Sequence, residues 1–306
     1  MKIVFFGNMN DVHTPKWAQY FIDKKHDVIK IHEPRFSIRG IFRLRNILNK
    51  IEPHILHTHY AGAWGLMAVL SRYHPLIITV HGSEVLLTKG IKQWLVKWVL
   101  KKADMITTDG YHVKRKMMTM GIDKDKIKIV GFGVDCNKFK PMENKVYPYL
   151  VLCRTGNSYI YDTKTFWEAA DIVNKYLEEN LHYDCDFMEI KNIRPDEMPD
   201  CLGKATLYVS CALSDAGLSS TTAEAMACGL PVLVSDIYSN SSFVFSRQYF
   251  KPEDYKELAD KMIEILNSHS YRKKIGDINR ETIINGNNYE VEMLKMENYY
   301  KEVVNG

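Results

Sequence analysis

Short apolar runs alternate with amphipathic stretches along the whole chain. Residues 2 to 7, Lys-Ile-Val-Phe-Phe-Gly, form a brief apolar run closed by glycine, the pattern of a buried parallel strand before a tight loop. A helix carrying Trp17, Tyr20 and Phe21 follows, then a second strand at 27–32. Ile41, Leu44, Ile47, Leu48 and Ile51 recur at three- and four-residue steps and predict a helix over 41–51. Strands are predicted at 54–59 and 76–82, with a helical segment at 62–73 between them. Ile91, Trp94, Leu95, Trp98 and Val99 share one face of a helix over 91–102, which reads as a core face. Strands at 104–110 and 126–133 complete this half. Beyond a polar stretch with two prolines the pattern restarts, with strands at 149–156, 185–190, 206–213 and 231–236. Helices are predicted at 162–180, 253–267 and 289–304.

Strand–helix alternation at this pace implies an α/β fold of two doubly wound parallel sheets with helices on both faces. The expected division is a first domain over 1–140, a linker over 141–148 and a second domain over 149–288. A terminal helix over 289–306 is expected to pack back on the first domain. The 306 residues suffice for two cores, and 46% hydrophobic with 25% charged content gives no reason to expect disorder. No apolar run is long enough to span a membrane, and the N-terminus enters a strand directly, so a cytoplasmic protein is expected. Six cysteines without a Cys-x-x-Cys pair read as buried, reduced thiols.

The net charge of +4 conceals an asymmetry. Residues 1–147 hold 25 Lys and Arg against 12 Asp and Glu, and the remainder holds 16 against 25. The first half therefore favours anionic partners. Arg35, Arg39 and Arg43, four apart, are expected to share a helical face turned toward an anionic membrane surface. Nucleic acid is not an expected partner.

In a doubly wound sheet, ligands bind outside the carboxyl ends of the strands. The loops predicted there carry Gly7 and His13, His59, His81, Arg154, and the run from Ser214 to Glu224. Two sheets facing each other would gather these loops across a cleft, which suits a reaction between two substrates. Of His57 and His59, alternating along one strand, one is expected to face that cleft, and His59 lies nearer the strand end. Thr221, Thr222 and Glu224 stand at the mouth of a helix, whose free N–H groups and positive dipole end favour a phosphate. Ser219, Ser220 and Thr221 add hydroxyls, and Gly217 lets the backbone approach a ligand. A carboxylate at Glu224 suits the two hydroxyls of a ribose, and Arg154 suits a diphosphate. Together these residues predict a nucleoside diphosphate site without a P-loop.

Glu224 is followed by Ala-Met-Ala-x-Gly-x-Pro-Val through Val232, and Gly-Val-Asp at 133–135 is followed by Phe139-x-Pro141. With weaker matches at 11–28, 52–62 and 78–85, the whole chain resembles the retaining glycosyltransferase family 4, also called glycosyl transferases group 1. The resemblance implies a GT-B fold of two Rossmann-like domains facing a cleft. It also implies transfer of a sugar, with retention, from a UDP- or GDP-linked donor to a hydroxyl of a lipid-linked or cell-envelope saccharide. No cofactor and no metal are implied, and a peripheral position on the inner membrane face is expected. By the same resemblance Glu224 binds the ribose, Arg154 the diphosphate, and the Gly217-Leu218 backbone the donor sugar or phosphate. Ser219, Ser220 and Thr221 join the donor site, while His81 faces the reacting centre from the acceptor-side domain.

Two positions depart from the family pattern. An acidic residue expected eight before Glu224 is Ala216, with Asp215 the nearest acid and a candidate catalytic group. A lysine expected five after Arg154 is Tyr159; Lys164 is a poor substitute, and the Tyr161-Asp162 pair resembles a variant of that loop. The stretch from Asn180 to Pro195 is short, so a trimmed second domain is expected. The departures keep one rival open, a homologue that binds a nucleotide sugar without transferring it or partners an active transferase. A second rival, another enzyme on the same fold such as a nucleotide-sugar epimerase, is opposed by the Gly-Val-Asp and Ala-Met-Ala signatures.

Overall fold

The computed structural model describes residues 1–11, 13–142, 149–156, 158–180, 185–215, 217–240 and 243–305. Most of the expected linker (143–148) and Ala216 lie outside the described residues. The chain divides into two compact units, 1–132 with 290–306, and 133–289.

The first unit runs β1 (Lys2–Gly7), α1 (His13–Asp23), β2 (Asp27–His32), α2 (Ile38–Ile51), β3 (Ile55–His59), α3 (Ala63–Ser71) and β4 (Leu76–Val80). It continues through α4 (Ser83–Leu86), α5 (Gly90–Lys102), β5 (Met105–Thr108), α6 (Tyr111–Thr119) and β6 (Ile127–Ile129). All six strands pair in parallel in the order β2-β1-β3-β4-β5-β6. Every residue of β3 and β4 is buried, as expected for strands covered on both faces.

Two sequence readings fail in this unit. Ser37 caps α2 by accepting from the Gly40 N–H at 2.8 Å, so Arg35 precedes the helix and shares no helical face with Arg39. Arg43 is engaged as well, donating to Glu33 at 2.6 Å and to the His32 carbonyl at 3.1 Å. In α5 the core face is Val96, Val99 and Leu100, while Ile91 and Trp94 stand exposed. Periodicity had grouped the latter with Val99, but burial in α5 begins only beyond its first turns.

The second unit runs β7 (Leu150–Arg154), α7 (Thr163–Asn180), β8 (Asp186–Ile190), α8 (Met198–Lys204), β9 (Leu207–Ser210) and α9 (Ser220–Ala227). It ends with β10 (Val232–Ser235), β11 (Tyr249–Phe250), α10 (Tyr255–Asn267) and α11 (His269–Gly286). The parallel order is β11-β10-β9-β7-β8. Residues 133–140, read from the pattern as part of the first domain, belong here, because Val134, Cys136 and Phe139 sit in this unit's core with Ala225, Met226 and Leu230. The pattern missed α4, α6, α8, β11 and α11. In α11 the buried set is Ile275, Gly276, Asn279 and Ile283, a stripe too polar to register as apolar periodicity. Gly276 lets α11 approach closely, since a Cβ there would lie 2.1 Å from the Gly229 carbonyl oxygen.

The last helix, α12 (Tyr289–Asn305), contributes to the first unit. Met293, Met296 and Tyr300 are buried, and the Tyr300 ring stacks on Phe21 at 4.8 Å. The six cysteines are free thiols, five of them buried. Among the described residues no helix is long and apolar enough to cross a membrane.

Candidate active site

In the second unit the site is built around the start of α9. Ser219 is the N-cap, accepting from the Thr222 N–H at 3.2 Å and bonding the Thr222 hydroxyl at 2.7 Å. Thr222 is buried and leans on the Tyr208 hydroxyl at 3.5 Å. These two hydroxyls are thus engaged within the protein, as the cap of the helix. Ser220 is exposed, and Thr221 lines a cavity of about 260 Å³ shared with Arg154, Thr155, Tyr161 and Asn192. Gly217 is buried, and Leu218 buries its side chain in the core, leaving only backbone for a ligand. Glu224 sits half-buried one turn inside the helix.

The other end of α9 explains the rest of its motif. Gly229 adopts φ +70 after the last turn, the left-handed conformation that closes a helix. Arg280 donates to the Ala227 carbonyl and, at 3.1 Å, to the Phe139 carbonyl, tying this end to the segment 136–139.

Arg154, at the end of β7, forms an ion pair with Asp215. Burial disfavours its charge, but Asp215 more than offsets this, so the guanidinium pKa is raised. The guanidinium carbon lies 4.9 Å from the Tyr161 ring centroid. That ring in turn rests on Gly156, where a Cβ would come within 2.2 Å of Tyr161 Cε2. Tyr159, at the expected lysine position, is 86% exposed and takes no part. Lys164 pairs with Glu168 at 3.5 Å along α7. The arrangement holds one fixed cation beside a helix N-terminus, with a carboxylate already on it.

In the first unit the strand ends carry a cluster of aromatic rings. His57 and His59 are two residues apart and share a face of β3 rather than alternating, with their rings stacked at 5.0 Å. His57 is a structural residue, bonded through Nδ1 to the Tyr300 hydroxyl at 2.5 Å and through Nε2 to the Thr79 hydroxyl at 2.7 Å. His59 Nδ1 meets His81 Nε2 at 3.0 Å, while its buried Nε2 has no hydrogen-bond partner among the described residues. The Tyr60 ring stacks on His81 at 4.1 Å, and His13 stacks on Phe132 at 3.9 Å. Gly7 ends β1 near Trp64.

Burial holds these histidines neutral. It lowers His13 to about 4 and His81 to about 3, with smaller contributions from Lys16 and His13 respectively. His57 falls to about 3 and His59 well below its usual range, again from burial first.

Glu84 is a residue the sequence reading passed over. Gly82, at φ +99, turns the chain so that Glu84 Oε1 accepts from the His81 N–H at 3.0 Å and the Ala61 N–H at 3.3 Å. Burial pushes its carboxyl pKa up, partly countered by those backbone donors. The available signal was a glutamate three residues after a strand-end histidine, at a helix start. Tyr60 and Phe132 carried no local signal, because their roles come from ring contacts across the fold, whereas Tyr161 was marked by the Tyr161-Asp162 pair. Among the described residues no group of three or more His, Cys, Asp or Glu is placed to hold a metal ion.

Comparison with known proteins gives these features a context. Residues 10–138 match Glycosyltransferase Family 4, and residues 171–282 match Glycosyl transferases group 1. An uncharacterized glycosyltransferase of Methanocaldococcus jannaschii is 22% identical over 303 residues, covering 89% of this chain and 84% of its own. Sucrose-phosphate synthase from Thermosynechococcus elongatus superposes with a TM-score of 0.80 at 12% identity, over 99% of each chain. HepE of Anabaena, solved in complex with UDP-glucose, gives 0.77 at 13% identity over 99% of this chain and 100% of its own. At such identities the structural likeness speaks for the fold. With both halves matched by sequence and both sheets of the expected topology, the chain belongs to the family 4, group 1 glycosyltransferases and is a glycosyltransferase of GT-B fold.

Proposed function

We propose that the enzyme takes a sugar from a nucleoside diphosphate sugar and places it, with retention of configuration, on a hydroxyl of a lipid-linked or cell-envelope saccharide. The observation that carries this reading is the shared cavity of Arg154 and Thr221 at the start of α9, a cation and a helix N-terminus on one small space. A UDP-linked donor is favoured over a GDP-linked one by the UDP-glucose complex of the structurally similar HepE. Glu224 would accept the ribose hydroxyls, Arg154 and the α9 N–H groups would take the diphosphate, and the Gly217-Leu218 backbone would meet the sugar. Ser219 supports this site as its cap, and Ser220 and Thr221 are the hydroxyls left to contact donor.

In the transfer, the bond from the anomeric carbon to the phosphate oxygen breaks and the bond to the acceptor oxygen forms on the same face. The acceptor proton passes to the departing phosphate oxygen. Arg154 and the helix dipole stabilise the charge left there, without a metal or cofactor. The acceptor is assigned to the first unit, where neutral His81, braced by His59, Tyr60 and Glu84, offers a hydrogen-bonding ring. Asp215 has a place in catalysis only once it leaves Arg154. We place the enzyme in the cytoplasm, at the inner membrane face.

The test is calorimetry and radiolabel transfer with a panel of UDP- and GDP-sugars. Binding of one donor, weakened about tenfold in Glu224→Ala without loss of folding, is the expected result. Unchanged affinity in that variant would remove Glu224 from the ribose.

A further inference from the structure

Six of the large apolar side chains exposed on the first unit fall into two groups. Phe36, Ile38 and Phe42 are 43%, 66% and 62% exposed at the start of α2, and Leu87, Ile91 and Trp94 are 63%, 86% and 63% exposed around the start of α5. Both helices have a separate buried stripe, Leu44 and Leu48 in α2 and Val96, Val99 and Leu100 in α5, so these six are surplus to the core. The two groups belong to one edge. In the order β2-β1-β3-β4-β5, the connections that carry α2, α3 and α5 all run the same way across the sheet. Right-handed crossovers therefore set the three helices on one face. α3 packs against both α2 and α5. Each helix follows its strand through a loop, so all three start at the carboxyl ends of the strands. The apolar starts of α2 and α5 thus flank α3 at the end where the His81 cluster lies.

Their charge is one-sided. Residues 34–51 and 85–103 contain no Asp or Glu, and Arg35, Arg39, Lys89 and Lys92 are exposed among the apolar six. Exposed apolar side chains, an indole among them, interleaved with cations and lacking carboxylates, match the interface of an anionic bilayer. A protein partner would be expected to answer such cations with carboxylates at the rim, and nucleic acid would leave six apolar groups against phosphate.

We infer that the starts of α2 and α5 form a two-point lipid anchor, inserting Phe36, Ile38, Phe42, Leu87, Ile91 and Trp94 among the acyl chains of an anionic membrane. This deepens the lipid-linked acceptor reading, on which its purpose rests, by setting the strand-end histidines beside the bilayer. The anchor differs from simple charge attraction in one measurable way. Each cation near an anionic surface contributes about fivefold to binding and is screened by salt, whereas inserted side chains are not.

The experiment is sedimentation of the full-length protein with vesicles of phosphatidylcholine, with and without phosphatidylglycerol, at low and high salt, beside UDP calorimetry on each variant. Wild type should bind the anionic vesicles and retain part of that binding at high salt. Ile91→Ser with Trp94→Ser, or Phe36→Ser with Phe42→Ser, should lower partition at least tenfold with UDP affinity unchanged. The wild-type emission should shift to the blue on anionic vesicles, and Trp94→Phe should lose most of that shift while still sedimenting. Wild type ignoring anionic vesicles at low salt, serine variants sedimenting as wild type does, or self-association through this edge would each overturn the anchor. Failure to bind UDP by wild type would sink the donor reading and leave the vesicle result standing.

Discussion

In the first unit the strand ends carry His13, His57, His59 and His81, four rings that burial keeps neutral. In the second unit the strand ends carry one half-buried guanidinium, Arg154, matched to Asp215 and set beside a helix N-terminus. The same strand–loop–helix construction thus yields a neutral, ring-packed cluster in one unit and a charged pair in the other. For the proposed transfer between a neutral hydroxyl and a diphosphate ester, that division is chemically sensible. The charged partner needs a fixed counter-charge, and the hydroxyl needs a dry, neutral surface that does not compete for its proton.

Acid should break the contrast most strongly. Each histidine has a folded pKa below the usual 6.5, so the unfolded chain takes up protons first as pH falls. Their contribution is complete above that value and is lost as pH falls toward about 4 for His13 and about 3 for His57 and His81. Each contributes about 1.4 kcal/mol per pH unit in that window, so the three together approach about 4 kcal/mol per pH unit. Four of the five tryptophans (Trp17, Trp64, Trp94 and Trp98) lie in the first unit. Tryptophan fluorescence melts should therefore fall steeply between about pH 6 and pH 4. A melting temperature that stays level over that range would show that the cluster is open to water.

The next largest effect sharpens the charged side. Arg154→Ala should weaken UDP by about 2 kcal/mol, roughly 30-fold, and uridine hardly at all. Equal losses for nucleotide and nucleoside in calorimetry would mean that the guanidinium supports the fold of the site rather than the phosphates.

Asp215→Asn gives a smaller change of opposite sign. With its carboxylate gone, Arg154 meets the diphosphate without first giving up a partner, and UDP affinity should rise by up to about tenfold. Weaker binding in that variant would show Asp215 itself touching the donor. A fall in turnover alongside tighter binding would assign it both roles.

Much of the fold was legible because apolar periodicity is local. The six strands of the first sheet and four of the second follow from short apolar runs, and the two-residue β11 gives no run to read. α11 escaped because its buried stripe includes Gly276 and Asn279, chosen for close approach and for hydrogen bonds to Gln248 and the Leu230 carbonyl. The candidate site was legible as a set of residues but not as a division of labour. Ser219 and Thr221 look alike in sequence, yet one caps α9 and the other lines the cavity.

The amino-acid sequence by itself determined the alternation of strand and helix, the placement of polar loops at strand ends, and the Glu224 motif that marks the family. Only the tertiary structure decided which partners those residues meet. Arg154 and Asp215 are 61 positions apart, and His57 and Tyr300 are 243 apart, so no local pattern joins them. The same reason explains α5. A period of 3.6 states which side chains share a face, but whether Ile91 and Trp94 are covered depends on what packs against that face, and that is settled by the rest of the chain.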